Sequence, residues 1–249
     1  MDPHSSRNPF YKLDIYSWMI VVLAIFSAAG AYTFGWEQTI PQILIAVVAA
    51  NAFDILAKYF KTKQFRFTKT ATITGLFIGQ LLPLSSVFYL PIIAAVIAIA
   101  SKHLINLKGR HVFNPTLFSL LIVLIIFSVQ PSWWGSFAFP TEQFFALNII
   151  AVIILGIIIT VRQKRHELVW PFIGAFLLFN FIARIFIPGG PQTYFGLDST
   201  LLYAVFFMLV EPKTSPVFKR ARLVYGIIAA AIFIAFNFLA PEYSPLAAI

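Results

Sequence analysis

Nine apolar runs divide this sequence, and its basic residues collect on one side of them. The runs are Ser17–Phe34, Thr39–Leu56, Thr70–Pro83, Tyr89–Leu104, Pro115–Val129, Glu142–Val161, Leu168–Phe186, Asp198–Val210 and Leu223–Ala240. A bilayer-spanning helix needs about 20 predominantly apolar residues, and fewer where protein encloses it. Lipid offers no hydrogen bonds to an open backbone, so such runs are expected to be helices. The expected fold is therefore all-α, a polytopic transmembrane bundle of about nine helices. Residues 1–16 form a cytoplasmic N-terminal segment, and 17–249 a single transmembrane domain.

The charges test that count. With the N-terminus inside, the inner segments are Met1–Tyr16, Ala57–Lys69, Ile105–Asn114, Arg162–Glu167 and Glu211–Arg222. Of the 18 Lys and Arg residues, all but Arg184 lie in these segments or, for Lys102, at the inner end of the fourth run. Basic residues are retained on the cytoplasmic side. One run added or removed would scramble this sorting. The expected location is the cell membrane, and Met1–Tyr16 lacks the pattern of a cleaved signal. Trp36, Trp133, Trp134, Tyr194 and Tyr243 fall in outer segments and read as interfacial anchors.

Composition removes several classes of chemistry. Only 11% of the residues are charged and 60% are hydrophobic, against roughly 25% charged in a soluble domain. With no cysteine there is no disulfide, thiolate metal site or cysteine nucleophile. The four histidines are scattered, and no metal site is expected. A net charge of +9 sits in loops between apolar runs, a pattern for membrane lipid and not for nucleic acid.

Two stretches read alike. Leu82-Pro83-Leu84-Ser85-Ser86-Val87-Phe88 and Glu211-Pro212-Lys213-Thr214-Ser215-Pro216-Val217-Phe218 each close an unusually short apolar run. They end the third and eighth runs, so they lie at opposite faces. Asn114-Pro115 is paired in the same way with Ser244-Pro245. This is the pattern of an inverted repeat, about 17–129 against about 142–249, with two short helices. Such paired interruptions mark a site near the midplane. Gly75 and Gly79 ease the first short helix.

Several motifs resemble the NqrB/RnfD family, the membrane subunits of the sodium-pumping NADH:quinone oxidoreductase and of the Rnf complex. They are Ile73-Thr74-Gly75-Leu76 through Leu82-Pro83, Ser101-Lys102-His103 through Gly109-Arg110-His111-Val112-Phe113-Asn114-Pro115, and Phe206-Phe207-Met208 through Glu211-Pro212-Lys213-Thr214-Ser215-Pro216. The resemblance is closer to the RnfD branch and covers roughly residues 17–245. It implies a flavin-dependent redox subunit carrying electrons across a membrane, coupled to ion movement. Three departures qualify it. The segment Gln130–Thr141 lacks the Ser-x-Ala-Thr-like motif that takes covalent FMN, so a noncovalent flavin, FMN or riboflavin, is expected. Glu211-Pro212 stands where the family has Asp-Pro. A tenth helix would follow residue 245, whereas the sequence ends at Ile249; a minimal variant and a helix supplied by a partner are the two expectations.

The candidate cofactor-binding residues are Gly75, Lys102, Arg110, Asn114, Glu211, Lys213 and Thr214. Glu211 is an ionisable group at a broken helix, a functional candidate in a membrane protein. Lys102 and Arg110 suit a flavin phosphate or an anionic reduced ring, and Asn114 suits its polar edge. Asp54 and Lys58 form an i,i+4 pair, and Arg184 is a partner for Asp198. No Gly-x-Gly-x-x-Gly fingerprint occurs, so the expected partners are other membrane subunits and a cytosolic flavoprotein or NADH/ferredoxin oxidoreductase. A small-molecule or ion transporter is the alternative reading, and a purely structural assembly subunit a third.

Overall fold

A computed structural model describes residues 13–84, 87–107, 109–138, 141–186 and 197–239, with the side chains of 141–146, 184 and 237–239 left aside. Nine α-helices account for most of them: α1 (Ile15–Phe34), α2 (Trp36–Thr62), α3 (Lys69–Leu81), α4 (Tyr89–Leu104), α5 (Pro115–Phe127), α6 (Thr141–Gln163), α7 (His166–Phe186), α8 (Ser199–Tyr203) and α9 (Lys219–Leu239). The all-α expectation holds, with one small addition. Asn106–Leu107 (β1) and Arg110–His111 (β2) pair antiparallel as a two-residue hairpin turning at Gly109, whose φ is +77°. Only glycine adopts that dihedral without strain.

Three helices are long and apolar enough to cross a membrane by length and composition: Ile15–Phe34, Trp36–Thr62 and His166–Ala183. Shorter apolar helices include Tyr89–Leu104, Pro115–Phe127 and Ser199–Leu209. The second helix outruns its apolar run, Thr39–Leu56, by two turns at its C-terminal end. Nothing in Ala57–Thr62 breaks a helix, and Lys63 closes it with a left-handed φ of 58°.

Two short helices set up the centre. α3 stops at Leu81 because Leu82, which precedes Pro83, is forced extended (φ −73°, ψ 147°). Its orphaned carbonyls are claimed from elsewhere. Gln42 Nε2 donates to Gly79 O and Leu82 O at 2.8 and 3.0 Å, Trp134 Nε1 to Gly79 O at 3.0 Å, and the Ser132 N–H to Leu81 O at 2.9 Å. α8 is capped by Asp198, whose carboxylate accepts from the Leu201 N–H at 2.7 Å. After five residues it continues as a π-helix, Ala204–Leu209. That wider turn carries Phe206 onto Gly156 of α6, where a Cβ would sit 2.4 Å from the ring. π-segments of this kind recur at functional sites.

The tightest packing joins α2 with α3 and α4, α4 with α5, and α1 with α3; separately, it joins α7 with α9 and α6 with α8. Between these groups Phe26, Phe77, Tyr203 and Phe207 meet edge-on, with ring centroids 5.0–6.1 Å apart. The Tyr203 hydroxyl donates to Gln80 Oε1, and Gln80 Nε2 donates to Leu23 O and Ser27 Oγ, both at 2.7 Å.

The structure corrects the reading of two tryptophans. Trp133 and Trp134 are not surface anchors but are 6% and 4% exposed. Their segment, with the 3₁₀ turn Trp134–Phe137, folds back to cap α3. Trp36 remains exposed. Tyr194, Tyr243, the Arg184–Asp198 pairing and the Ser244-Pro245 match lie outside the described residues.

Candidate functional site

At the basic end of the bundle a small cleft, open at its mouth, lies between the ends of five helices. Ile15, Tyr16 and Met19 come from α1. Thr70, Ile73, Thr74 and Phe77 come from α3, and Asn114, Pro115 and Thr116 from the start of α5. Gln163 ends α6, Phe207 comes from the π-helix that continues α8, and Glu211 and Pro212 follow it. Apolar walls with a few convergent polar groups are the usual lining of a small-molecule site.

Local rules place each polar group. Asn114 is the N-cap of α5: its Oδ1 accepts from the Thr116 and Leu117 N–H groups at 3.0 and 3.3 Å, with Pro115 in the first turn. That use of Oδ1 turns Nδ2 outward, where it donates to Glu211 Oε2 at 3.1 Å and to Met208 O at 3.4 Å. Glu211 starts a tight turn in which its carbonyl accepts from the Thr214 and Ser215 N–H groups. Burial pushes the Glu211 carboxyl above its ordinary value, opposed by the charges of Lys102 and Lys213.

Lys102 lies behind the cleft wall and is 8% exposed. Its ammonium donates to Thr74 Oγ1 at 2.6 Å and to Thr70 O at 3.0 Å. Two cleft-lining residues are thus backed by a buried cation. Gln163 Oε1 is a buried acceptor with no hydrogen-bond partner among the described residues. Buried polar atoms are rarely left so, which makes it the atom of the cleft most in need of a ligand. His111, in the hairpin beside the cleft, has its pKa lowered to about 4, first by burial and then by Lys102 and Lys213.

The family model described as NQR2, RnfD, RnfE matches residues 2–151. The chain belongs to this family. Among similar proteins, the D-type subunit of the ion-translocating oxidoreductase complex from Methanosarcina acetivorans is 24% identical, covering 97% of this chain and 85% of that protein. The proteins of the same name from Aliivibrio salmonicida and Shewanella amazonensis are 32% and 30% identical. They align with 43% and 44% of this chain and with only about a third of their own length, 31% and 32%.

The family motifs divide between the cleft and its supports. Asn114 and Glu211 line it. Lys102 acts through Thr70 and Thr74. Arg110 does not face the cleft: its guanidinium donates to Pro212 O at 2.9 Å and to Ser215 O, fixing the turn that carries Glu211. Thr214 belongs to that turn, its hydroxyl lying 3.3 Å from Glu211 O. Lys213 influences Glu211 by charge alone. Gly75 points away from the cleft. A Cβ there would meet Val47 Cα at 2.5 Å and Ala46 O at 2.8 Å, so it is a contact point between α3 and α2.

Asp54 is more than half of a surface pair. It is 4% exposed and bonds Lys58, Thr68 and, at 3.0 Å, His103 Nε2. It ties α2 to α4 and to the start of α3. Tyr16, Thr70 and Gln163 line the cleft with no motif to announce them, and Thr74, Phe77 and Phe207 lie within the motif stretches but were not singled out. The i,i+4 hydroxyl pair Thr70–Thr74 in a short apolar run was a usable signal; nothing distinguished Gln163.

Proposed function

We propose that this chain is the D-type membrane subunit of an ion-translocating electron-transfer complex, and that the cleft at its basic end holds a noncovalent flavin. The observation that carries this reading is the Asn114–Glu211 contact at the cleft floor, which joins two family motifs from opposite halves of the chain. A nine-span topology with a cytoplasmic N-terminus fits the sorted charges. An inverted repeat fits the two short helices. In this reading the cleft opens to the cytoplasm, where a soluble flavoprotein or an NADH- or ferredoxin-linked subunit supplies electrons.

The lining suits a planar ring with polar edges. Phe77 and Phe207 offer apolar faces, and Gln163 Oε1, without a partner among the described residues, accepts a ring N–H. Glu211, whose carboxyl burial raises above its ordinary value, is placed to hold or give up a proton at its Oε atoms. Lys102, through Thr70 and Thr74, places positive charge behind the wall and favours an occupant that becomes anionic on reduction. A bound flavin would supply the one- and two-electron chemistry that these side chains lack.

The test is direct. The purified protein should be yellow, release flavin on denaturation, and show no flavin fluorescence at its own mass on a denaturing gel. Glu211→Gln and Asn114→Ala should lower flavin content severalfold while the protein stays monodisperse. A colourless protein that moves a solute in proteoliposomes would favour the transporter reading instead.

A further inference from the structure

The turn between α2 and α3 carries a second feature, at the end of the molecule's lipid-facing surface. The exposed face of α2 includes Leu44, Val48, Ala52, Leu56 and Phe60, each four apart. They form one ridge inclined to the helix axis, and it continues past the apolar run into Phe60, 67% exposed. Beyond the helix, Phe65 and Phe67 are 78% and 62% exposed. A 27-residue helix is about 40 Å long against a hydrocarbon core of about 30 Å, so its last turns stand among headgroups.

The cations there are unevenly committed. Lys58 bonds Asp54, Lys61 donates to His103 O, and Lys69 pairs with Asp14 at 2.6 Å. Lys63 and Arg66 have no carboxylate partner among the described residues. No acidic residue occurs between Asp54 and Glu142. The turn is also ordered in advance: Phe65 stacks on Tyr59 at 4.6 Å, and the Lys63 ammonium lies 5.4 Å from the same ring.

On the membrane reading, we propose that this turn is a binding site for an anionic phospholipid of the inner leaflet, with Lys63 and Arg66 on the headgroup phosphate and Phe60, Phe65 and Phe67 seated at the acyl boundary. Continuity with the lipid-facing stripe selects lipid over an acidic protein. Alternating aromatics and cations are the means by which a segment lies in the interface. Each cation near an anionic surface favours binding by a factor of about five, screened by salt.

The experiment titrates the delipidated full-length protein with phosphatidylglycerol or phosphatidylcholine and counts bound lipid by native mass spectrometry. The double variant Lys63→Gln/Arg66→Gln should retain roughly tenfold less phosphatidylglycerol at unchanged melting temperature. Lys164→Gln/Arg220→Gln, which removes two other cations from the basic end, should retain it within about twofold. Phe65→Ser/Phe67→Ser should weaken both lipids. Equal losses from the two double charge variants would mean general attraction and no site. Displacement of the lipid by inorganic phosphate alone would mean a free-anion site. Unchanged lipid retention with loss of co-purifying soluble subunits would make the turn a protein interface. Each of those three results overturns the proposal.

Discussion

Asn114 and Glu211, 97 residues apart, are joined at 3.1 Å on the floor of the cleft. The same Asn114 side chain caps α5 with its oxygen and reaches the end of α8 with its nitrogen. Asn114→Ala therefore removes a cap and takes from the Glu211 carboxylate its Asn114 donor, whereas Met208 O keeps the Glu211 N–H at 3.2 Å. A lost cap alone costs about 1 kcal/mol, and a stranded buried acceptor about 1–3 kcal/mol more. Asn114→Asp keeps the cap but sets two carboxylates together. Both should melt earlier than the parent in detergent. A melting temperature unchanged in Asn114→Ala would show that the contact does not hold the cleft floor.

Glu211 and His111 should tilt stability with pH in opposite senses. The Glu211 carboxyl is raised from 4.5, so its contribution is fully present below that value and is lost as pH rises through the higher folded-state value. Melting temperature measured upward from pH 4 should fall less in Glu211→Gln than in the parent. A parallel pair of curves would contradict a buried carboxyl.

His111 is lowered from 6.5 to about 4. Its contribution is present above 6.5 and is lost as pH falls toward 4, because only the unfolded chain takes the proton readily in that window. His111→Gln should flatten the acid side of the melting curve between those values. Retention of the parental slope in this variant would assign the acid sensitivity elsewhere.

Two glycines should respond oppositely to the same change. Gly75→Ala drives a methyl to 2.5 Å from the backbone of α2, which cannot yield as a side chain does. A loss of about 1–3 kcal/mol is expected from such overpacking. At Gly174 in α7 nothing lies within 4 Å of the new methyl, and alanine should be neutral or stabilising by up to about 1 kcal/mol. Thermal melts of both variants decide this.

The topology is tested by single cysteines, since the chain has none of its own. Lys219→Cys, on a side chain 82% exposed, should be protected from an impermeant reagent in intact cells. Ser132→Cys, at the opposite end and exposed, should be labelled. Ser136, in the same segment, is fully buried and would be a poor probe. Labelling at Lys219 would reverse the proposed orientation.

The sequence by itself determined the helices and their order. Apolar run length and the placement of prolines are local properties, and Leu82 before Pro83 ends α3 whatever surrounds it. That Asn114 and Glu211 are site candidates was also legible, because each stands beside a proline in a family motif at the end of an apolar run. What only the tertiary structure decided is which side of each helix meets which neighbour. Gly75, Gln80 and Thr74 lie in one α3 segment, yet Gly75 faces α2, Gln80 reaches Tyr203 and Thr74 lines the cleft. Facing is set by helix rotation, and where nearly every position is apolar no polar stripe records it. The burial of Trp133 and Trp134 has the same origin. A loop tryptophan reads as a surface anchor until the truncated end of α3 presents carbonyls that need its indole and backbone donors.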